Sequence, residues 1–227
     1  VALAWSGGKD SSLALTALQA DPAFEVVALV TTVTADYDRI SMHGVRRSIL
    51  EAQVAELGLL VVEATIPVAA SNQIYEDAFA AALDTLRVVQ PELRHLAFGD
   101  LFLADVRAYR EALLARLNWD PVFPLWGRDT AQLAREFVDQ GFRAILTCVD
   151  TTQLGAEFCG REFDSALLAE LPVTVDPCGE RGEFHTCVYD GPIFRRPLSV
   201  QRGERVHRDG RFEYCDLTLI GANISVA

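Results

Sequence analysis

The feature that most constrains the fold of this chain is an alternation of short apolar runs with longer amphipathic segments. Five runs have the length and composition of buried strands, and five longer segments carry apolar residues at helical spacing. Short loops between such elements are typical of βαβ units. We therefore predict an α/β fold, with a Rossmann-like, mostly parallel sheet and helices on both faces. The predicted strands are Val1–Trp5, Val26–Val33, Leu59–Ile66, His95–Gly99 and Arg143–Val149, and the predicted helices are Ser11–Gln19, Val45–Leu57, Asn72–Val89, Ala104–Leu117 and Thr130–Asp139.

The pattern changes near Asp150, where glycines, prolines and short β-type runs replace the alternation. We therefore predict two parts, a larger domain of residues 1–150 and a smaller α+β portion of residues 151–227. Asp209-Gly210 in the smaller portion is a typical hairpin turn. The short runs predicted as strands are Val173–Val175, Thr186–Tyr189 and Phe212–Ile220.

Polar residues and glycines lie at the ends of three predicted strands of the larger domain. They are Ser6–Lys9, Thr31–Thr32 and Gly99–Asp100. Ligands of open α/β sheets bind at the carboxyl ends of the strands, near the point where the strand order reverses. We therefore expect these three segments to face one crevice.

The stretch Ala4–Ser12, AWSGGKDSS, joins the first predicted strand to the first helix. A Walker A loop requires G-x-x-x-x-G-K-[ST], but Leu3 stands where its first glycine belongs and Asp10 follows the lysine. The dinucleotide fingerprint G-x-G-x-x-G is not supplied either. The pattern S-G-G-x-D-S, in contrast, matches at every position from Ser6 to Ser11.

The residue types of this loop are those of an anion site. Gly7 and Gly8 permit positive φ and let backbone N–H groups approach a phosphate, and the following helix adds unsatisfied donors and its dipole. Lys9, the only lysine among 20 cationic residues, supplies a charge, and Asp10 is a candidate helix cap or Mg²⁺ ligand. A glycine turn with serine caps is the structural alternative. The hydroxyl groups available to phosphate oxygens are those of Ser6, Ser11 and Ser12.

A second dense motif, DPCGERGEFHTCVYDGPIF, spans Asp176–Phe194. Its glycines permit a tight loop in which carboxylates and an imidazole can meet, as acid–base chemistry requires. The structural alternatives are solvated carboxylates, a hydrogen-bonding histidine and buried cysteines. A zinc site from Cys178, His185 and Cys187 lacks a fourth ligand and a recognised spacing. The candidate functional residues of this motif are Cys178, Gly179, Glu180, Glu183, His185 and Thr186.

Composition excludes several classes of partner. The net charge of −12 argues against a broad nucleic-acid surface. The four arginines between Arg202 and Arg211 could contact phosphate or an acidic partner, but we favour a solvated face for them. Five scattered cysteines without a CxxC pair argue against a disulfide framework and indicate a reducing compartment. No apolar run is long enough to cross a bilayer, and no export signal is present. We therefore expect a cytoplasmic protein. The sequence leaves the oligomeric state open, and a homo-oligomer is one of the alternatives.

The first motif resembles the pyrophosphate loop of the N-type ATP pyrophosphatases, or PP-loop enzymes, of the adenine nucleotide alpha hydrolase-like superfamily. The resemblance implies that superfamily's Rossmann-like fold. It also implies that ATP is cleaved with Mg²⁺ between its α- and β-phosphates, which gives a substrate adenylate and pyrophosphate. The motif alone does not select the substrate.

The second motif resembles the G-E-x-G-E-F-H-T segment of the diphthamide synthetase family, the ATP-dependent diphthine–ammonia ligases. Further segments agree with this family in the expected order. The likeness covers about residues 1 to 195. The agreeing segments are SMHGVRR (Ser41–Arg47), EAQVAELGL (Glu51–Leu59), FGDL (Phe98–Leu101), PLWG (Pro124–Gly127) and GFRAIL (Gly141–Leu146).

The resemblance implies a role for each matched segment. Residues 6–12 would hold the ATP phosphates, Thr31, Thr32 and His43 would lie near the adenosine, and Gly99 with Asp100 would border the crevice. The loop Gly179–Thr186 would form the acceptor or ammonia side. The residues expected to act in catalysis are Lys9, Asp10, Glu180, Glu183 and His185.

The family reaction adenylates the carboxylate of diphthine, a modified histidine of elongation factor 2, and ammonia then displaces AMP. An archaeal or eukaryotic chain would act on that acceptor, and a bacterial chain on another carboxylate or an amide. Two alternative functions stay open at this point. One is a PP-loop enzyme acting on tRNA or on a small molecule, and the other is a regulatory module that binds ATP without turnover.

Overall fold

A computed structural model describes residues 1–40 and 44–221 of the 227-residue chain. Its strands form two sheets, one of six strands and one of four. The elements are, in chain order, β1 (Ala2–Ala4), α1 (Lys9–Ala20), β2 (Ala28–Thr34), β3 (Arg39–Ile40), α2 (Arg47–Leu57), β4 (Leu60–Ile66), α3 (Asn72–Val89), β5 (His95–Ala97), α4 (Ala104–Arg116), β6 (Asp120–Val122), α5 (Thr130–Asp139), β7 (Arg143–Asp150), α6 (Ser165–Glu170), β8 (Phe184–Asp190), β9 (Val200–Arg208) and β10 (Phe212–Leu219).

The six-stranded sheet is parallel apart from the short β3, which pairs antiparallel with the end of β2. β2 and then β4 lie on one side of β1, and β5 and then β6 lie on the other. The strand order therefore reverses at β1. This confirms the predicted parallel sheet and makes the loop after β1 the place where a ligand is expected to bind.

Helices cover both faces of this sheet, as predicted. Because successive side chains of a strand point to opposite faces, Leu3 and Ala2 of β1 belong to different apolar clusters. Leu3 shares a cluster with Leu15 of α1 and Ile49 of α2. Ala2 shares the other with Phe79 of α3. The short first strand is thus buried on both sides, which fixes the start of the following loop.

The predicted helix ends are largely those of the structure. Gly58 ends α2 with φ of 68°, in the left-handed region that glycine tolerates. Ser71 caps α3 by accepting from the N–H of Ile74. Asp129 caps α5 by accepting from the N–H of Gln132 at 2.7 Å. These caps are local in sequence, so they could be predicted without knowledge of the fold.

The four-stranded sheet is antiparallel, with the order β8-β7-β10-β9. Asp209 and Gly210 connect β9 to β10 with φ of 55° and 61°, which confirms the predicted hairpin turn. The predicted strand Arg143–Val149 exists as β7, but it lies in this second sheet and not in the parallel one. β8 and β10 pair on its two sides, which no local pattern could indicate. The division of the chain at residue 150 stays a prediction.

Four details of the predicted strands were wrong: one predicted strand is absent, and β3, β6 and β9 were not predicted. Val173–Val175 is not a strand, because a turn follows Pro172, whose carbonyl accepts from the N–H of Val175. Val173 itself is fully exposed. β6 was not predicted, since three residues that include an aspartate and a proline give little β signal. β9 was missed because most of its residues are polar and exposed.

All five cysteines are buried and unpaired, in agreement with the predicted lack of disulfides. Burial raises the pKa of Cys178 and of Cys187 to about 12 in each case. Both thiols are therefore protonated at neutral pH. Among the described residues, no helix combines the length and apolar character needed to span a membrane.

Candidate active site

A crevice of about 670 Å³ opens at the carboxyl end of β1, where the strand order reverses. One wall comes from the parallel sheet and its loops. The other comes from the loop that precedes β8 and from the first residues after the β9–β10 turn. Both sheets therefore contribute to the same site.

Most of the residues predicted for the site line this crevice. Gly7, Ser12 and Glu183 lie behind its surface, and His43 lies outside the described residues. Cys178 also lies behind the surface, with its thiol donating to the carbonyl of Thr130 at 3.3 Å. The predicted residues that line the crevice are Ser6, Gly8, Lys9, Asp10, Ser11, Thr31, Thr32, Gly99, Asp100, Gly179, Glu180, His185 and Thr186.

The phosphate-loop motif forms a compact turn into α1. The hydroxyls of Ser11 and Ser12 donate to the carbonyl of Gly8 at 2.9 and 3.0 Å, and the hydroxyls of Ser6 and Ser11 lie 3.3 Å apart. The first N–H groups of a helix have no intrahelical acceptor. The N–H of Lys9 donates to the hydroxyl of Thr186 at 3.0 Å. The next residues of the first turn, Asp10 and Ser11, line the crevice with their N–H groups outside the helical hydrogen-bond pattern.

The loop is also fastened to β8 through a buried glutamine. The side-chain amide of Gln53 donates to the carbonyl of Gly7 at 3.0 Å and to that of Val188 at 2.7 Å, while its oxygen accepts from the indole N–H of Trp5. The N–H of Val188 donates to the carbonyl of Gly7 at 2.9 Å. Gly7 has φ of 74°, and a Cβ there would lie 2.5 Å from the Gln53 oxygen. Glycine is therefore required at this position.

The side chain of Lys9 turns away from open solvent and is only 1% exposed. Its ammonium donates to both carboxylate oxygens of Asp10, at 2.8 and 2.9 Å, and to the carbonyl of Cys178. The rings of Phe163 and Phe184 lie 5.8 and 5.7 Å away. Burial by itself lowers the pKa of Lys9, but the Asp10 carboxylate raises it, and the pKa lies above its usual value. The ammonium is therefore charged and already engaged within the protein.

The floor of the crevice comes from the segment after β5. A Cβ on Gly99 would lie 2.9 Å from the backbone carbonyl of Asp10, so a side chain here would displace the start of α1. The carboxylate of Asp100 forms two hydrogen bonds with Arg110, at 2.5 and 3.1 Å. The Arg110 guanidinium also stacks on the ring of Phe98, 4.3 Å from its centre.

The loop of the second motif is held together by two buried carboxylates. Asp176 accepts from the N–H of Cys178 at 2.9 Å and from the hydroxyl of Thr130 at 2.8 Å. Glu183 accepts from the N–H groups of Asp176 and Arg181, both at 2.9 Å, and is 1% exposed. The Glu183 carboxylate thus faces the backbone of its own loop and not the crevice.

Glu180 lies on the crevice side of this loop. Its carboxylate accepts from the N–H of Leu101 at 2.8 Å and more weakly from that of Phe102 at 3.4 Å. Burial raises the pKa of Glu180 to about 7, although the N–H of Leu101 and the charge of Lys9 lower it. A carboxyl group with such a pKa can exchange a proton at neutral pH.

Thr31 and Thr32 lie inside β2, since this strand continues to Thr34. The Thr31 hydroxyl is buried and has no hydrogen-bond partner among the described residues. Because a buried hydroxyl without a partner is costly, a ligand atom in the crevice is a natural partner for it.

Sequence reasoning did not single out several crevice residues as site residues. Arg110 lies on α4, within the part of the chain that resembles the family, but nothing local gave it a role. Arg211 was expected on a solvated face, and the structure corrects this expectation, because the turn at Asp209-Gly210 brings Arg211 to the crevice. The main crevice residues missed are Tyr75, Arg110, Arg181, Arg211 and Phe212.

The comparisons with known proteins agree with this arrangement. The family model for the diphthamide synthase N-terminal domain matches residues 1–116, and the model for the diphthamide synthase C-terminal domain matches residues 129–218. The first match covers the S-G-G-x-D-S loop, Ser6–Ser11, which we call the phosphate loop. The second covers the loop Asp176–Glu183, which we call the acidic loop, and the β9–β10 hairpin. The mixed α/β fold, with its mostly parallel central sheet and smaller antiparallel sheet, is consistent with a PP-loop, Rossmann-like fold. The chain belongs to the diphthamide synthase family.

Three curated relatives carry the name diphthine–ammonia ligase. The zebrafish protein (Danio rerio) is 34% identical over 118 residues, which are 48% of this chain and 46% of the relative. The human protein is 31% identical over 121 residues, or 51% and 45%. The protein of Schizosaccharomyces pombe is 29% identical over 129 residues, or 55% and 21%. The matched region thus spans less than half the length of each of these relatives.

The buried position of Glu183 leads to a prediction about stability. Replacing Glu183 by alanine removes the acceptor of the buried N–H of Asp176 and of the partly buried N–H of Arg181, so we expect the free energy of unfolding to fall by about 2–4 kcal/mol. Glu204→Ala is the matched control, because Glu204 is an exposed carboxylate of β9; we expect a change within about 0.5 kcal/mol. Urea unfolding measures both. Equal stability of Glu183→Ala and the native chain would show that the loop does not depend on this carboxylate.

Proposed function

We propose that this protein is an ATP-dependent ligase that adenylates a carboxylate, releases pyrophosphate and forms an amide with ammonia. The acceptor we propose is diphthine of elongation factor 2, or another carboxylate if the source is bacterial. The observation that carries the proposal is the meeting of the S-G-G-x-D-S loop and the acidic loop in one crevice. The names of the relatives support the choice of reaction and acceptor.

The ATP phosphates are assigned to the start of α1. The N–H groups of Asp10 and Ser11, the helix dipole and the hydroxyl group of Ser6 form a suitable anion site. The Ser11 hydroxyl, which donates to the carbonyl of Gly8, would have to rotate to join them. The adenosine would extend along β2, where the buried hydroxyl of Thr31 needs a partner. This orientation leaves the α-phosphate near the acidic loop, where the acceptor must arrive.

A magnesium ion fits this crevice with few protein ligands. Mg²⁺ keeps several waters and is held through one or two carboxylates together with substrate phosphates, and Asp10 offers a partly exposed carboxylate beside the loop. When bound, the ion supplies positive charge to the phosphates. Lys9 would fix the orientation of Asp10, because its ammonium already contacts both oxygens of that carboxylate.

Two bonds are exchanged in the proposed reaction. An oxygen of the acceptor carboxylate attacks the α-phosphorus, and the bond from that phosphorus to the oxygen bridging the α- and β-phosphates breaks to release pyrophosphate. Ammonia then attacks the activated carbonyl carbon, and AMP leaves with its oxygen. The attacking nitrogen must lose a proton, and Glu180 would accept it. His185 lines the same wall, and the enclosing loops would exclude water from the adenylate.

The identity of the nucleotide product tests this proposal. With ATP, Mg²⁺, ammonium and elongation factor 2 at the diphthine stage, we expect AMP and pyrophosphate in equal amounts, measured by chromatography of the nucleotides. Formation of ADP and phosphate would contradict cleavage between the α- and β-phosphates. Tight ATP binding without turnover, with all acceptors tried, would favour the regulatory module.

The pKa of Glu180 predicts how the rate of amide formation depends on pH. Its carboxyl group is protonated below about pH 7, and only the ionised form can accept a proton. At a constant concentration of free ammonia, kcat/KM for ammonia should therefore rise with pH and level off above about pH 7.

Replacing the titrating group tests this assignment. Glu180→Gln should lower kcat/KM by about 10²- to 10⁴-fold and remove the inflection, whereas Glu204→Gln, on exposed β9, should retain it. An unchanged inflection in folded Glu180→Gln would assign the titration to another group.

A further inference from the structure

The crevice needs cations other than Lys9 if it binds anionic substrates. The ammonium of Lys9 donates to Asp10 and to the carbonyl of Cys178. The guanidinium of Arg110 pairs with both carboxylate oxygens of Asp100, whereas Arg211 contacts its carboxylate partner through one nitrogen. In a chain of net charge −12, the described crevice lining nevertheless contains more cationic side chains than carboxylates. The cations are Lys9, Arg110, Arg181 and Arg211, and the carboxylates are those of Asp10, Asp100 and Glu180.

Arg211 is the most firmly oriented of the cations that keep donors available. One nitrogen of its guanidinium lies 2.6 Å from the carboxylate of Asp150, and the plane stacks on the ring of Phe212, 4.9 Å from its centre. Its backbone carbonyl accepts from both the N–H and the hydroxyl of Thr151, at 2.8 and 2.7 Å. The side chain is still 52% exposed. A guanidinium has five N–H donors, so several of them remain for a ligand.

The partner of Arg211 is itself fixed. The side chain of Asp150 is fully buried and also accepts from the hydroxyl of Thr152 at 2.6 Å and from the amide of Gln153 at 2.8 Å. The Arg211 guanidinium holds the pKa of Asp150 well below its usual range. An arginine held on one side by a buried carboxylate loses little conformational entropy when it binds an anion on the other side.

We propose that Arg211 is an anion-binding residue of the crevice, oriented by Asp150, and that it contacts either the phosphates of ATP or the carboxylate of the acceptor. This inference rests on the proposed function only for the identity of these anions. The β9–β10 hairpin, whose arginines were expected mainly on a solvated face, would then complete the substrate site from the second sheet.

Binding measurements test this role without requiring turnover. The phosphate source is probed by titrating α,β-methylene-ATP with Mg²⁺ by calorimetry, and the carboxylate source by titrating elongation factor 2 at the diphthine stage into protein saturated with that analogue. We expect Arg211→Gln to weaken one of these two affinities by about 10- to 100-fold, the range for loss of a charged hydrogen bond. Arg205→Gln is the matched control. Arg205 lies on the same hairpin and bonds Glu213, but it does not line the crevice, so both affinities should change less than twofold.

The two arms also separate the sources. A loss confined to the nucleotide analogue assigns Arg211 to the phosphates, and a loss confined to the protein acceptor assigns it to the carboxylate. Unchanged affinities in both arms, with a native thermal unfolding midpoint, would overturn the proposal.

If Arg211→Gln does not fold, Arg211→Lys decides in the same assays, because lysine keeps the charge but not the planar donors. Arg211→Lys should weaken the same one of the two binding affinities, and unchanged affinities in this variant would also overturn the proposal. An ADP product would refute the proposed function, but these binding results would still stand.

Discussion

The contact on which the site depends is the buried ammonium of Lys9 between Asp10 and the carbonyl of Cys178. It joins two segments that are 169 residues apart in the chain. An isolated charge in the protein interior is very unfavourable, so this lysine is retained only because a carboxylate and a carbonyl surround it. The phosphate loop and the acidic loop therefore cannot be positioned independently.

Further contacts reinforce the same junction from the backbone. Gln53 bridges Gly7 and Val188, the hydroxyl of Thr186 accepts from the N–H of Lys9, and the close approach of Gly99 to Asp10 sets the floor. As a result, the proposed catalytic groups belong to loops of both sheets, and these loops are connected to each other by hydrogen bonds. Rigid placement of the nucleotide and of the acid–base group is what an adenylation reaction requires.

The parts of this arrangement that could be predicted from sequence are local ones. The alternation of runs indicated the parallel sheet, and S-G-G-x-D-S indicated the loop at its centre, because both signals are contiguous in the chain. The pairing of β7 with β8 and β10, and the position of Arg211, depend on contacts between distant segments and left no local signal. Lys9 illustrates what sequence alone could not predict. Its type and its place in the loop indicated a role in the site, but only the structure shows that its ammonium points toward the carbonyl of Cys178.

The central claim, that Lys9 holds the two loops together, is tested most directly by hydrogen exchange in Lys9→Met. Methionine preserves the length and apolar stem of the side chain but removes its charge and its donors. If Lys9 holds the loops together, backbone amides of residues 176–186 and of the first turn of α1 should exchange at least about tenfold faster than in the native chain, while those of α3 are unchanged. Native exchange rates in both loops of folded Lys9→Met would contradict it.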